Sequence, residues 1–314
     1  MLLGIAGSAR SAPSVLTLAV ADSPYAASVL VAEALGYFAE EGLRLKVIHC
    51  AIGRVCLKHL LDGEAHIATV ADTPIALASF AHKSFAIVAT TTTTGADHRM
   101  IVRRDRGIRT AGDLKGKRIG ILKGTSGHYF TESFLLFNGV NLTDVKLVAL
   151  DPKDVVGPLL RGEVDAAGLF EPYGRQAIAQ LGAQARAFKT PGFFSVTFNL
   201  VSVSAAGGAS DEDLLKLLRA VRRANALIAA EPARARSIVA AALKVDPAEL
   251  TDTWGEFEFR LQLRQPLLTA LEAQARWALR EGLVPADAKP ANFLELMRTG
   301  PLDRLDPRAV RLAR

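Results

Sequence analysis

The chain has 314 residues, half of them hydrophobic, with 38 Lys and Arg against 32 Asp and Glu for a net charge of +6. That length buries a large core and suits two lobes. The positive charge is dispersed, with only the Arg pairs at 103–104 and 222–223, so a dedicated nucleic-acid surface is not expected. No stretch approaches the roughly 20 apolar residues of a membrane span. Two Cys and six scattered His offer no metal-ligand spacing, and no metal or cofactor is expected.

Residues 1–12, MLLGIAGSARSA, pair a short apolar run with small residues but have no basic start. They are expected to be a clipped signal peptide. Residues 15–20 read as a buried strand, and Ser23-Pro24 follows as a helix start, since Pro at the first helical position lacks an N–H that would be orphaned there. A helix is expected to about residue 41, ended by Gly42. Residues 43–49 form the next strand and 54–61 the next helix. Cys50 and Cys56 could close a small loop, but an apolar face shared with Leu60 favours two buried free thiols.

Residues 66–71 form a third strand that ends in Asp72-Thr73-Pro74, another cap followed by proline. The strand at 85–92 runs into five threonines, Thr90 to Thr94, which read either as a β-propensity strand end or as hydroxyls for a ligand. Residues 100–103 lead into Gly116 to Phe137. There a short apolar strand breaks at Lys123-Gly124, and Phe130, Phe134, Leu135 and Phe137 recur at helical spacing. Thr125 and Ser126 occupy the cap positions of that helix, where hydroxyls, free N–H groups and the positive dipole end suit an anionic or acceptor-rich ligand. His128 is expected at the surface.

An internal echo organises the rest. Leu60-Leu61-Asp62-Gly63-Glu64-Ala65-His66-Ile67-Ala68 precedes Asp72-Thr73-Pro74, and Leu159-Leu160-Arg161-Gly162-Glu163-Val164-Asp165-Ala166-Ala167 precedes Glu171-Pro172. Both read as helix end, glycine stop, strand and new helix start, as two lobes of similar α/β units would produce. After a helix to 181, strands are expected at 185–188 and 196–203. Ala/Leu/Arg-rich amphipathic helices follow at 211–229, 232–243 and 266–281, and the proline-punctuated last thirty residues form a wrapping tail. Strand ends at Ala21, Ala71, Leu122 and Phe170 each run into a helix start bearing Ser, Thr, Asp or Glu. Such junctions line the carboxyl edge of an open sheet, where ligands bind, and such a lining suits holding a polar molecule.

The runs Gly36-Tyr37-Phe38-Ala39-Glu40-Glu41-Gly42-Leu43, Leu61-Asp62-Gly63-Glu64-Ala65, Asp113-Leu114-Lys115-Gly116-Lys117, Gly124-Thr125-Ser126, Gly162-Glu163-Val164-Asp165-Ala166 and Glu171-Pro172-Tyr173, in this order, resemble a known group. It comprises substrate-binding proteins of ABC importers for sulfonate, nitrate, taurine and pyrimidine precursors (NMT1/SsuA-like, type II periplasmic binding proteins). The resemblance spans nearly everything after residue 15. His66 departs from it, standing where an Asp is usual. It implies an α/β fold of two lobes joined by two crossovers, placed near 100–104 and 200–204. Lobe 1 would be 13–102 plus 204–314 and lobe 2 would be 103–203. It further implies a periplasmic monomer that captures a small polar molecule by hinge closure and hands it to a membrane permease and its ATPase.

By that resemblance the ligand-binding residues are Tyr25, Thr73, Thr92, Thr93, Thr125, Ser126 and Glu171, with none catalytic. Glu171 either caps its own helix or accepts from an N–H-bearing ligand. An enzyme on the same fold, of pyrimidine-precursor or menaquinone-pathway type, is the alternative. The cysteine-rich motif of the synthases is absent, and no nucleophile–base pair stands out. A ligand-sensing module is the third reading, although no signalling or DNA-binding segment is present.

Overall fold

The computed structural model describes residues 15–81, 84–188, 192, 194–203 and 208–313; the expected leader at 1–12 lies outside them. Leu16–Ala21 (β1) is followed by a short turn of 3-10 helix at Pro24–Ala26 and then by Ala27–Ala34 (α1) and Tyr37–Glu40 (α2). The single helix expected to residue 41 is broken because Gly36 takes a left-handed conformation at φ 71°, which glycine adopts without steric cost. Leu45–Cys50 (β2), Gly53–Leu61 (α3), Ile67–Ala71 (β3), Asp72–Ala78 (α4) and Phe85–Thr94 (β4) complete this part.

The chain then crosses to a second sheet. Its elements are Arg99–Arg103 (β5), Arg118–Ile121 (β6), Ser126–Phe137 (α5), Lys146–Ala149 (β7), Gly157–Leu160 (α6), Ala166–Leu169 (β8), Tyr173–Leu181 (α7) and Ala185–Phe188 (β9). Val196–Val203 (β10) returns to the first sheet, followed by the helices Asp211–Ala230 (α8), Pro232–Leu243 (α9) and Thr251–Trp254 (α10). Phe257–Arg264 (β11), Gln265–Arg280 (α11), Gly300–Leu305 (α12) and Val310–Arg311 (β12) close the chain.

The larger sheet has the order β12-β11-β4-β10-β3-β1-β2 and the smaller β7-β6-β8-β5-β9. The echo in the sequence has a structural counterpart here. In each sheet two parallel pairs (β2-β1-β3 and β7-β6-β8) are followed by an antiparallel neighbour, β10 or β5. Gly63 and Gly162, at φ 79° and 72°, end the helices that precede β3 and β8 and turn the chain into them. β10 was expected with the second lobe, but it pairs antiparallel with both β3 and β4. Its apolar run, with Val196, Phe198, Leu200 and Val201 all buried, satisfies its backbone only as a central strand flanked on both sides. The passages between sheets therefore fall at residues 95–98 and between β9 and β10.

The cysteines are also corrected. Cys50 ends β2, Cys56 lies on α3, and the connection folds back so that their Cα atoms stand 5.6 Å apart in a disulfide, well within bridging range. The bridge encloses residues 51–55. Among the described residues no helix is long and apolar enough to cross a membrane, and no group of His, Cys, Asp and Glu is placed to hold a metal.

Candidate functional site

The two sheets present their strand ends to each other, and the cavity between them is lined from both sides. Ser23, Tyr25, Ile52, Arg54 and Phe198 come from the larger-sheet part, and Thr125, Ser126, Phe170 and Tyr173 from the smaller. It encloses about 30 Å³, space for one or two waters. A groove of about 540 Å³ along α3 and α4 shares Arg54 and Pro74 with this cavity and reaches Gly124. A third space of about 210 Å³ lies on the Glu171, Pro172 and Arg175 side.

The walls are tied together. Ser23 Oγ donates to the Glu171 carbonyl at 3.4 Å, and Tyr173 donates to the Ala51 carbonyl at 3.4 Å. Trp277 Nε1 on α11 donates to Glu132 Oε2 on α5 at 2.6 Å. Arg99 forks onto Glu256 at 2.9 and 3.1 Å, and Arg175 reaches Asp252 at 3.1 Å. This is a closed arrangement, and an organic ligand larger than a few waters enters only when the walls part.

The centre of the site is a chain of polar groups that crosses from one sheet to the other. The Tyr25 hydroxyl donates to Asp97 Oδ2, Asp97 Oδ1 lies 3.0 Å from His98 Nδ1, and His98 Nε2 lies 3.0 Å from Ser126 Oγ. Asp97 and His98 occupy the first passage between sheets, Tyr25 follows β1, and Ser126 opens α5. All four are buried. Rings of Phe130, Phe170 and Phe194 stand 5.3, 5.7 and 4.8 Å from the imidazole, which keeps the relay in a low-dielectric setting where its hydrogen bonds are strong. Phe198 and Phe257 hold the Tyr25 ring, each with a centroid distance of 5.3 Å.

The expected site residues fall into three groups. Tyr25, Thr125 and Ser126 line the central cavity. Glu171 is 1 % exposed and borders the neighbouring space. Thr73, Thr92 and Thr93 do not line the cavity. Thr73 is buried beneath Pro74 and donates to Asp72 Oδ1 at 3.3 Å. Thr92 Oγ1 donates to the Tyr25 carbonyl at 2.7 Å, fixing the backbone of a cavity residue, while Thr93 accepts from Gln262 Nε2 at 3.4 Å. The alternation of a strand explains the split, since Thr92 and Thr93 point to opposite faces of β4.

Neither hydroxyl at the start of α5 caps the helix. Thr125 Oγ1 turns back to donate to the Leu122 carbonyl at 2.7 Å, and Ser126 faces His98. His128 N–H donates to the Thr125 carbonyl at 3.1 Å, and no side chain caps the N–H groups of Ser126 and Gly127, the kind of donors an acceptor-rich ligand requires. Gly124, at φ 73°, makes the turn, and a Cβ there would come 3.4 Å from Leu77 and 4.0 Å from Arg54.

Glu171 precedes a cis peptide bond to Pro172. Its Oε2 accepts from the Arg175 N–H at 3.3 Å, while Oε1 finds no hydrogen-bond partner among the described residues. Burial pushes its pKa up from 4.5 to about 7, with Arg99 opposing and Asp97 adding to the rise. Asp72 is also raised by burial, and its carboxylate is satisfied by Thr197 N–H at 2.9 Å, Thr197 Oγ1 at 3.1 Å and Gln274 Nε2 at 3.0 Å. It joins α4, β10 and α11 behind the cavity. His128, expected at the surface, is buried and pairs with Glu132 at 2.8 Å, because helical i,i+4 spacing sets the two on one face.

Sequence reasoning did not name Arg54, Phe198 and the other new lining residues, nor Asp97 and His98 of the polar chain. Asp97 and His98 lie in a short link without periodicity, and their one sequence signal is an acid next to a histidine at a passage between sheets.

A family model described as NMT1/THI5 like matches residues 23–235. A protein of Brucella abortus (strain 2308), named as a binding protein, is 29 % identical over 162 residues, which is 50 % of this chain and 49 % of that protein. An Escherichia coli (strain K12) protein named for binding aliphatic sulfonates is 27 % identical over 132 residues, 42 % of this chain and 41 % of that one. The chain thus spans about half the length of the curated relatives it matches. Among solved structures, the alkanesulfonate-binding protein SsuA from Xanthomonas axonopodis pv. citri, bound to MOPS, superposes with a TM-score of 0.78 at 20 % identity, covering 91 % of this chain and 99 % of that one. The desulfurization enzyme DSZB has the same fold, with a TM-score of 0.67 at 18 % identity over 94 % of this chain and 99 % of its own. The α/β architecture of two facing sheets is that of the periplasmic binding proteins, and the chain belongs to the NMT1/THI5-like family.

Proposed function

We propose that this chain is the extracytoplasmic solute-binding component of an ABC importer, a monomer that captures a small organic anion of the alkanesulfonate class between its two sheets. The observation that carries the reading is the start of α5, which no side chain caps and where Thr125 and Ser126 line a cavity whose other wall comes from the opposite sheet. Hydroxyls and helix N-termini hold an anion without altering it. Relatives named for sulfonate binding support the ligand class. The strand pairing supports one lobe of about residues 15–94 and 196–313 and a second of about 99–188. Their closure is the form that a permease and its ATPase would recognise. Native mass spectrometry of the purified protein tests this directly. A co-purified or added sulfonate retained at one per chain is expected, and no retention of any sulfonate refutes the ligand class.

A second reading has its own observation. Asp97, His98 and Ser126 stand in the order of a nucleophilic relay, Ser126 opens an uncapped helix of the kind that can stabilise an oxyanion, and an enzyme shares the fold. Time-dependent release of 4-nitrophenol from 4-nitrophenyl acetate, lost in Ser126→Ala, would favour it. The binding reading expects no turnover.

A further inference from the structure

The relay has a consequence that rests on the capture reading and goes beyond it. Asp97 accepts through both carboxylate oxygens, from Tyr25 at Oδ2 and from His98 Nδ1 at Oδ1, and this assigns a proton to Nδ1 by the logic of the hydrogen-bond network. With a neutral ring, Nε2 is then a bare acceptor. Ser126, 3.0 Å away, spends its only O–H on it and turns lone pairs to the cavity. Lone pairs repel an anion. With a protonated ring, Nε2–H donates instead, and the Ser126 O–H is released to donate into the cavity beside the α5 N–H groups. An anion in this low-dielectric site also favours the imidazolium by direct charge attraction.

We propose that His98 is the specificity-determining residue of the cleft, setting whether Ser126 offers a donor or an acceptor, and that the site takes up an anion together with one proton. The groups around the ring are consistent with this. Asp97 and Arg99 flank it in sequence, Tyr25 stands 3.5 Å from Nδ1 on one side, and Ser126 and Phe130 of α5 stand on the other. Phe170 and Phe194 also pack against the ring. Glu171 and Glu256, raised by burial in the first place, also feel the charges of Arg99 and Asp97. Glu171 is therefore the competing site for such a proton.

The test is calorimetric titration with ethanesulfonate in two cationic buffers of different ionisation enthalpy, across the neutral pH range. Wild type is expected to take up close to one proton at the maximum, with affinity rising by up to about tenfold per pH unit as pH falls through the titration. His98→Gln is expected to lose the uptake and flatten the pH dependence, while Glu171→Gln retains both. NMR of the His98 imidazole in the wild type gives the same answer without a variant, as a change from the singly to the doubly protonated nitrogen pattern on adding ethanesulfonate. Binding with no proton uptake, or uptake that survives in His98→Gln and disappears in Glu171→Gln, overturns the inference and leaves the capture reading standing. Absence of binding by this and longer alkanesulfonates overturns both.

Discussion

Replacing Glu171 by Gln is expected to stabilise the protein in a pH-dependent way. The side chain is 1 % exposed, its Oε1 has no partner among the described residues, and burial raises its pKa from 4.5 to about 7. Below about pH 4.5 the carboxyl holds its proton in the fold and in the unfolded chain alike, and its contribution is intact. As pH rises toward about 7 the unfolded chain gives up that proton while the fold retains it, so stability falls and the loss is complete above the folded value. A difference of about 2.5 units is worth about 3 kcal/mol at roughly 1.4 kcal/mol per unit. Glutamine keeps the shape and an acceptor for the Arg175 N–H but carries no charge to desolvate. The variant should match wild type near pH 4 and exceed it by up to about 3 kcal/mol at about pH 8. At roughly 2 °C per kcal/mol for a chain of this size, that is about 6 °C in Tm. Thermal melts across that range are the assay. A difference between variant and wild type that does not change with pH would refute the burial argument.

Three other outcomes follow from the same geometry. Ser126→Ala removes one hydroxyl and should weaken ethanesulfonate binding by roughly 1.5–3 kcal/mol, ten- to a hundredfold, as calorimetric titration reads it. Because Ser126 does not cap α5, the unliganded Tm should move only slightly. Gly124→Val should weaken binding and lower Tm together, since it strains a φ of 73° and adds methyl groups beyond a Cβ that would already touch Leu77. Replacing both Cys50 and Cys56 by Ser opens a loop that carries Ile52, Gly53 and Arg54 of the cavity wall. A loop this short is worth about 2 kcal/mol of chain entropy, so urea denaturation should show a loss of that order together with weaker binding.

Much of the fold was legible because its signals are local. Apolar runs at β1, β3 and β6, each ending in a turn residue and a helix start, mark the strand–helix junctions, and the glycines at 63 and 162 repeat at equivalent points of both sheets. What was not legible depends on packing at long range. β10 looks the same in sequence whichever sheet it joins, and only its pairing with Ala71 and Thr94 on either side places it. Cys56 on an apolar helix face reads as a core thiol, and the fold-back that brings it to Cys50 is a property of the β2–α3 connection as a whole. In the site, Ser126, expected from its strand–helix junction, and Tyr25, expected from the family resemblance, both line the cavity. His98 was missed because it has meaning only once two sheets set it between Ser126 and Asp97.

The central claim is that a small organic anion is held between the two sheets at the start of α5. The crystal structure of the protein with ethanesulfonate tests it most directly. The sulfonate oxygens are expected within hydrogen-bond reach of Ser126 and the first N–H groups of α5, with Tyr25 on the opposite wall. A sulfonate bound only in the outer groove between α3 and α4, or away from both sheets' strand ends, would contradict it.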